Sequence, residues 1–294
     1  MDSIDFITRV KQRVIIAILA DDEIGDRMVL KGGNLLQFAY ELYARASKDV
    51  DISVDGEFED FEWLKKRVEE ALETSFSEMS LVVIDFRFNE VPAEMSDDLK
   101  SFWGGYKCEF KLVDQQAYEA SKGDIGKLRK LAHHLEQNAG STVFKVDFSR
   151  HEFCEAKDTF EIEGYSIYGY SPKMFVAEKL RAICQQMPEY GPIVRRNRPA
   201  ASRSRDFVDI HVICSHYGIT FGDTDFHDIL KKTFAIKKVP LEWVGKIKDS
   251  RGQHEPDFTS VRATVSNSYD LQDFDFYFRW VCKQCESLEP IWNE

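Results

Sequence analysis

Two acidic residues that follow a pair of glycines are the chemically most informative part of this chain. Gly32 and Gly33 come first, and Asp49 and Asp51 lie two positions apart in an apolar, strand-like stretch. That spacing puts both carboxylates on one face of the strand, where like charges repel unless they bind a cation. Paired carboxylates beside a glycine turn, through which backbone amides can approach phosphate, indicate divalent-metal chemistry on a nucleotide.

Nucleotidyl transfer with two metal ions requires a third carboxylate on an adjacent strand. Three residues compete for this role, namely Asp85, Glu109 and Asp147, and each lies on the polar side of a predicted strand. Spacing alone does not choose among them.

Hydrophobic periodicity predicts the elements that position these residues. Strands are expected at 28–30, 49–54, 81–88, 106–113 and 142–148, and helices at 5–20, 35–43, 61–72, 115–136, 173–186 and 205–217. We expect Asn34 to cap the second helix, and a serine and a proline to begin the one at 173. The remainder is predicted to be mostly helical. The pattern divides the chain into an α/β domain over 1–170 and a helical domain over 171–294 that closes one side of the cleft.

Composition and charge limit the function classes. The chain has 294 residues and a net charge of −12, which argues against non-specific nucleic-acid binding by the whole surface. A local basic groove remains an open alternative, because five arginines lie close together: Arg195, Arg196, Arg198, Arg203 and Arg205. There is no long apolar run and no secretory signal at the N-terminus, so we expect a cytoplasmic protein without a membrane partner.

The six cysteines do not indicate a zinc site. Cys282 and Cys285 form a single C-x-x-C, and His151 and Cys154 form another close pair, but neither has a second pair at a matching distance. All six are predicted to be buried free thiols.

Four motifs in order resemble a known family. The first is Lys31-Gly32-Gly33 followed by Ser47-x-Asp49-x-Asp51, and the others lie at 145–149, 172–182 and 205–210. Together they resemble the AbiEii/AbiGii-type toxin nucleotidyltransferases of the DNA polymerase β-like superfamily. The chain departs from the family pattern at Asn34-Leu35, where threonine-alanine is usual.

The resemblance implies an α+β fold, with a polymerase-β-like core of mixed sheet and flanking helices plus a C-terminal helical domain. It also implies roles for individual residues. Asp49, Asp51 and Asp147 would hold Mg²⁺ or Mn²⁺, while Lys31, Gly32, Gly33, Ser47 and Lys179 would contact the triphosphate. Asp206 would orient Lys179 or the base and ribose.

The implied reaction moves a nucleoside monophosphate from an NTP to an acceptor. The resemblance points to RNA, particularly the end of a tRNA, and to a toxin of a toxin–antitoxin or abortive-infection system with a cognate antitoxin as partner. Two alternatives remain open: transfer to a small-molecule or protein hydroxyl, and a degenerate nucleotide-binding regulator.

Overall fold

A seven-stranded mixed sheet organises the protein in the computed structural model, which describes residues 3–42, 49–134, 140–265 and 270–292. In chain order the strands are β1 (Met28–Lys31), β2 (Val50–Val54), β3 (Leu81–Val91), β4 (Gly105–Asp114), β5 (Phe144–Ser149), β6 (Lys157–Ile162) and β7 (Tyr165–Tyr170). Their order across the sheet is β3-β4-β5-β2-β1-β7-β6. The β2–β5 and β1–β7 pairs are parallel, and the other neighbours are antiparallel.

Helices surround this sheet and form the second half of the chain. In chain order they are α1 (Ser3–Leu19), α2 (Gly32–Phe38), α3 (Phe61–Ser77), α4 (Asp97–Lys100), α5 (Gln115–Ala120), α6 (Ile125–Leu131), α7 (Pro172–Cys184), α8 (Tyr190–Ile193), α9 (Ser204–Tyr217), α10 (Thr224–Ala235), α11 (Arg251–His254), α12 (Phe258–Thr264), α13 (Phe274–Glu286) and α14 (Glu289–Trp292). Short 3₁₀ segments cover Gly25–Arg27, Leu241–Asp249 and Glu255–Asp257. The predicted α+β class is confirmed.

One face of the sheet is apolar and the other carries the candidate site. Strand β4 alternates strictly, so that Cys108, Phe110 and Leu112 are fully buried. Helices α1 and α3 cover this face, and the ring of Phe76 lies 5.7 Å from that of Phe110. The alternate positions of the central strands therefore point to the opposite face, toward α7 and the helical half.

Helix α7 begins as its sequence predicts. The Oγ of Ser171 accepts a hydrogen bond from the backbone N–H of Met174 at 3.4 Å, and Pro172 occupies the first turn. A proline fits there because the first N–H groups of a helix have no intrahelical acceptor. Helix α7 contacts β7, α9 and α10, so it joins the sheet to the helical half.

Three local predictions were wrong. The helix expected over 35–43 ends at Phe38. Asn34 does not cap α2, because the helix begins at Gly32 and the Asn34 side chain instead donates to the backbone oxygen of Asp49 at 2.7 Å. The helix expected over 115–136 is two helices, α5 and α6, separated by a turn in which Gly123 has φ +82°. The β6–β7 hairpin was not predicted.

A large apolar core extends through both halves of the chain. One continuous cluster joins residues of α1 and the sheet to residues of α7, α9 and α13. The domain boundary at 170/171 stays a prediction.

The prediction of six buried free thiols holds for five of them. All six cysteines are free thiols; five are buried and Cys282 is half-buried. None of the described helices is long and apolar enough to cross a membrane.

Candidate active site

A row of charged residues crosses the open face of the sheet. Lys31 on β1 pairs in register with Asp51 on β2, which pairs with Asp147 on β5, which pairs with Lys107 on β4. Residues paired in this way on adjacent strands have their side chains on the same face. The sheet therefore brings together two candidate ligands, Asp51 and Asp147, that lie almost a hundred residues apart in the chain.

Gly32 lets the Asp51 carboxylate approach the backbone. It has φ +71°, and a Cβ built at this position would lie 2.5 Å from Asp51 Oδ2. Any larger residue would meet both backbone strain and a steric clash. Gly33 is buried in the first turn of α2 and, unlike Gly32, is not among the residues that line the cleft described below.

Burial makes the negative charge of the row costly. Desolvation raises the pKa of Asp51 to about 6, and Asp147 adds to the rise, while Lys31 and Lys179 oppose it. Desolvation also raises the pKa of Asp147, and nearby Asp49 adds to that effect, opposed by Lys107. Both carboxylates thus lack full compensation from the protein's own cations.

Two further predicted site residues, Asp49 and Ser47, do not belong to the row described above. Asp49 lies immediately before β2, close enough to Asp147 to influence its pKa, but it is not among the cleft-lining residues. Ser47 lies outside the described residues, so its predicted phosphate contact stays a prediction.

Geometry separates the three candidates for the third carboxylate. Asp85, at a bulge in β3, receives hydrogen bonds from Arg129 Nε at 2.8 Å and Lys111 Nζ at 3.0 Å, which together lower its pKa to about 2. Glu109 lies two positions along β4 from Lys107, and its Oε1 is 3.9 Å from Lys107 Nζ. Only Asp147 is in register with Asp51.

The donor set fits a hard divalent cation. Carboxylate oxygens are the ligands that Mg²⁺ and Mn²⁺ prefer, and the raised pKa of Asp51 marks negative charge that an ion would balance. Across the described ranges, however, no three His, Cys, Asp or Glu side chains are already arranged to hold a metal. Ion binding would therefore require these carboxylates to turn toward one another.

Lys179 is held by two carboxylates from the neighbouring helix. Its Nζ donates to Asp206 Oδ1 at 2.6 Å and lies 3.2 Å from Asp209 Oδ2. All three side chains are buried, and Lys179 lies within electrostatic reach of Asp51. The structure thus joins two predicted site residues, Lys179 and Asp206, and adds Asp209, which the sequence analysis had not selected.

A cleft of about 1210 Å³ lies between the open face of the sheet and α7. Its floor includes Lys31, Gly32, Asp51 and Asp147. One face of α7 forms a wall, with Glu178, Ala182 and Gln185 along its middle and Lys179 and Arg181 at its two edges. Four of the five clustered arginines line the same cleft, namely Arg195, Arg196, Arg198 and Arg203, whereas Arg205 does not.

A buried ion cluster at the cleft was missed by the sequence analysis. Glu152, only 4% exposed, lies 2.8 Å from Arg181, 3.6 Å from Lys237 and 3.7 Å from Lys31. Arg181 lies within a recognised motif, but Glu152 and Lys237 belong to no motif. Each is an ionisable residue among apolar neighbours. That those neighbours are buried is known only from the fold.

The mixed sheet with its acidic row, facing a helical wall that carries a lysine, agrees with the class of protein that the family comparison shows, a nucleotidyltransferase. The family model described as "Nucleotidyl transferase AbiEii toxin, Type IV TA system" matches residues 13–279. The chain belongs to this family of nucleotidyltransferase toxins from type IV toxin–antitoxin systems.

Two solved structures from Helicobacter pylori are similar to the chain. One is a candidate nucleotidyltransferase, with a TM-score of 0.50 and 14% identity over 100% of this chain and 97% of that one. The other is JHP933, with a TM-score of 0.48 and 15% identity over 97% and 91% of the two chains. At this identity the first of them supports the fold alone. None of the curated proteins compared with the sequence matches it.

Proposed function

We propose that the protein transfers a nucleoside monophosphate from an NTP to a hydroxyl of RNA, at the end of a tRNA, and releases pyrophosphate. The observation that carries this proposal is the row of Lys31, Asp51 and Asp147 on the floor of a cleft whose rim is rich in arginine. In the reaction the acceptor hydroxyl loses its proton to solvent and its oxygen bonds to the α-phosphorus, while the bond from that phosphorus to the pyrophosphate oxygen breaks.

Asp49, Asp51 and Asp147 would hold Mg²⁺ or Mn²⁺. The bound ion would neutralise the charge that develops on the leaving pyrophosphate. Asp51 lies against Gly32, on the floor of the cleft, where its carboxylate can turn toward Asp147.

Lys179 would contact the triphosphate as a point charge. Asp206 and Asp209 fix the direction of its ammonium group, since both lie on α9 and approach it from the same neighbouring helix. This geometry favours orientation of Lys179 as the role of Asp206, out of the two roles that the family resemblance implies. Backbone amides at Gly32 and Gly33 would complete the triphosphate contacts.

The arginines on the rim favour an RNA acceptor. Arg198 is exposed at the mouth of the cleft, and Arg196 is held by a hydrogen bond from its Nη1 to the backbone oxygen of Gln185 at 3.0 Å. Guanidinium groups arranged along a cleft contact phosphodiesters without sequence preference. Such a local basic edge allows RNA binding by a chain whose net charge is −12.

The family also implies an antitoxin partner, because type IV toxins act in pairs with an antitoxin. We propose that inhibition of growth by this chain depends on its transferase activity and is relieved by the cognate antitoxin.

A second candidate function is transfer to a small-molecule or protein hydroxyl. The strongly acidic composition favours it, and the same floor would serve, because in-line displacement needs only a positioned oxygen nucleophile. A degenerate regulator that binds nucleotide without transfer is less favoured, because the whole row and Lys179 are retained.

Incubation with labelled NTPs, divalent metal, total RNA and cell extract tests these functions. We expect label in RNA, lost in Asp51→Ala and Asp147→Asn but kept in Asp85→Asn, whose carboxylate lies on the same sheet away from the cleft. Label in protein or in the small-molecule fraction would select the second candidate. Nucleotide binding by the wild-type protein without transfer to any fraction would select the regulator.

A further inference from the structure

The cluster around Glu152 contains more positive than negative charge. Arg181 Nη1 lies 2.8 Å from Glu152 Oε2, while the ammonium groups of Lys237 and Lys31 lie 3.6 and 3.7 Å from Oε1. One carboxylate is thus shared by three cations. Two further acids offset part of this excess: Glu178, whose Oε1 lies 3.6 Å from Arg181 Nη2, and Asp51, which interacts electrostatically with Lys31.

These cations face the cleft although they are buried. Arg181 is 2% exposed and Lys237 3%, and both line the cleft together with Lys31. Within the described part of the chain, Arg181 Nε has no hydrogen-bond acceptor. A buried donor without an acceptor destabilises the protein, so an anion that accepted from it would bind favourably.

Lys237 is also incompletely compensated. Its Nζ donates to the backbone oxygens of Phe102, at 3.2 Å, and Arg150. Burial lowers its pKa to about 8, and Arg181 and Lys31 add to the decrease, while Glu152 opposes it.

Lys31 connects this cluster to the acidic row. Its backbone is in register with Asp51, and its Nζ donates to Ser149 Oγ at 3.0 Å, farther along the open face. Lys179, by contrast, is already engaged by two buried carboxylates on the other edge of α7. Arg181 and Lys237 share Glu152 and so have fewer carboxylates per charge than Lys179.

We infer that Lys31, Arg181 and Lys237, held together by Glu152, form a phosphate-binding subsite next to the catalytic row. The inference rests on the proposed function. Its ligand is a phosphate group, which either the triphosphate of the NTP or a phosphodiester of the acceptor can supply. Glu152 is the one carboxylate that the three donors share, and its negative charge competes with a bound phosphate.

Lys237→Met tests the subsite, with Lys238→Met as the matched control. Lys238 is the exposed neighbour, and the same charge is removed outside the cleft lining. Calorimetry with magnesium tripolyphosphate and with a short unphosphorylated RNA oligonucleotide measures the two sources separately. We expect Lys237→Met to weaken binding of one of them about 10- to 100-fold and Lys238→Met to change neither by more than about twofold.

The arm that responds identifies the source. Loss of tripolyphosphate affinity assigns the subsite to the NTP, and loss of oligonucleotide affinity alone assigns it to the acceptor. Wild-type affinities retained in both arms by a folded Lys237→Met protein would overturn the inference.

Glu152→Gln separates binding from a merely structural role. Removal of the central negative charge increases the positive charge of the subsite, so the variant should bind the responding ligand about tenfold more tightly, and that ligand should restore its melting temperature. Weaker binding, or no stabilisation by the ligand, would contradict the subsite. Transfer activity of the wild-type protein is measured separately, so its absence would refute the proposed reaction without deciding the binding result.

Discussion

Among single residues, Asp51 has the clearest conflict between stability and function. Its half-buried side chain lies against Gly32 and close to Asp147, and desolvation raises its pKa to about 6. Negative charge that the protein's own cations do not balance is typical of binding and catalytic sites.

Asp51→Asn should therefore stabilise the metal-free protein while it abolishes transfer. The folded-state pKa lies above the ordinary value of an aspartate, so the folded state binds more protons between about pH 4 and 6, and the free energy of unfolding of the wild type falls as pH rises through that window. The amide side chain of the variant does not titrate, so the variant lacks this contribution to the pH dependence of unfolding. In thermal melts in EDTA, the melting temperature of the wild type should fall from pH 5 to pH 7.5. That of the variant should fall less.

Addition of Mg²⁺ provides the converse measurement. The ion should raise the wild-type melting temperature at pH 7.5 and leave Asp51→Asn nearly unchanged. An equal rise in both proteins would remove Asp51 from the metal site.

Gly32→Ala should be far more harmful than an alanine at another glycine with positive φ. Gly32 (φ +71°) faces Asp51 Oδ2, whereas nothing lies within 4 Å of a Cβ at Gly123 (φ +82°). Both variants incur about 1 kcal/mol of backbone strain, but only Gly32→Ala displaces the carboxylate. We expect transfer activity to fall at least about 100-fold in Gly32→Ala and less than about threefold in Gly123→Ala, measured at equal folded fraction.

On the scale of secondary-structure elements, the ion group between α7 and α9 fixes the position of the cleft wall. Lys179 comes from one helix, and Asp206 and Asp209 come from the other. Loss of one member leaves buried charge without its partner, which costs about 3–5 kcal/mol.

Lys179→Met should therefore destabilise the protein, and Lys179→Met/Asp209→Asn should recover part of that loss without recovering activity. Urea unfolding of wild type, both single variants and the double variant gives the coupling free energy. A coupling near zero would show that Asp209 does not hold Lys179.

The sequence allowed elements with strong local signals to be predicted, but not the contacts between them. Ser171 and Pro172 mark the start of α7 by local chemistry, and β4 alternates because one of its faces is buried. Asp147 could not be chosen over Asp85 or Glu109, because the choice depends on the pairing of β2 with β5, two strands far apart in the chain. Glu152 and Lys237 were missed for the same reason. Asn34 was wrongly predicted as a helix cap, because its side chain makes a tertiary hydrogen bond instead.

Across the whole molecule, a basic cleft edge lies within an acidic protein. With a net charge of −12, long-range electrostatics oppose the approach of RNA, while the rim arginines favour its docking. Affinity for RNA should then depend on a few phosphate contacts rather than on the whole surface.

The double variant Arg196→Gln/Arg198→Gln should raise the apparent KM for RNA about tenfold with little effect on the KM for NTP. It should also reduce the slope of RNA affinity against salt concentration. Lys66→Gln serves as the control, because it removes one exposed charge from α3, far from these arginines in the chain. It should change neither the apparent KM for RNA nor the salt dependence of RNA affinity. A similar change in the control would assign the effect to net charge.

The face of α7 that forms the cleft wall places Lys179 at one edge and Arg181 at the other. Carboxylates hold both side chains, Lys179 through Asp206 and Asp209 and Arg181 through Glu152. A polyanion that lies along this wall would therefore meet cations whose positions are set before it arrives, and little ordering entropy would be lost when it binds.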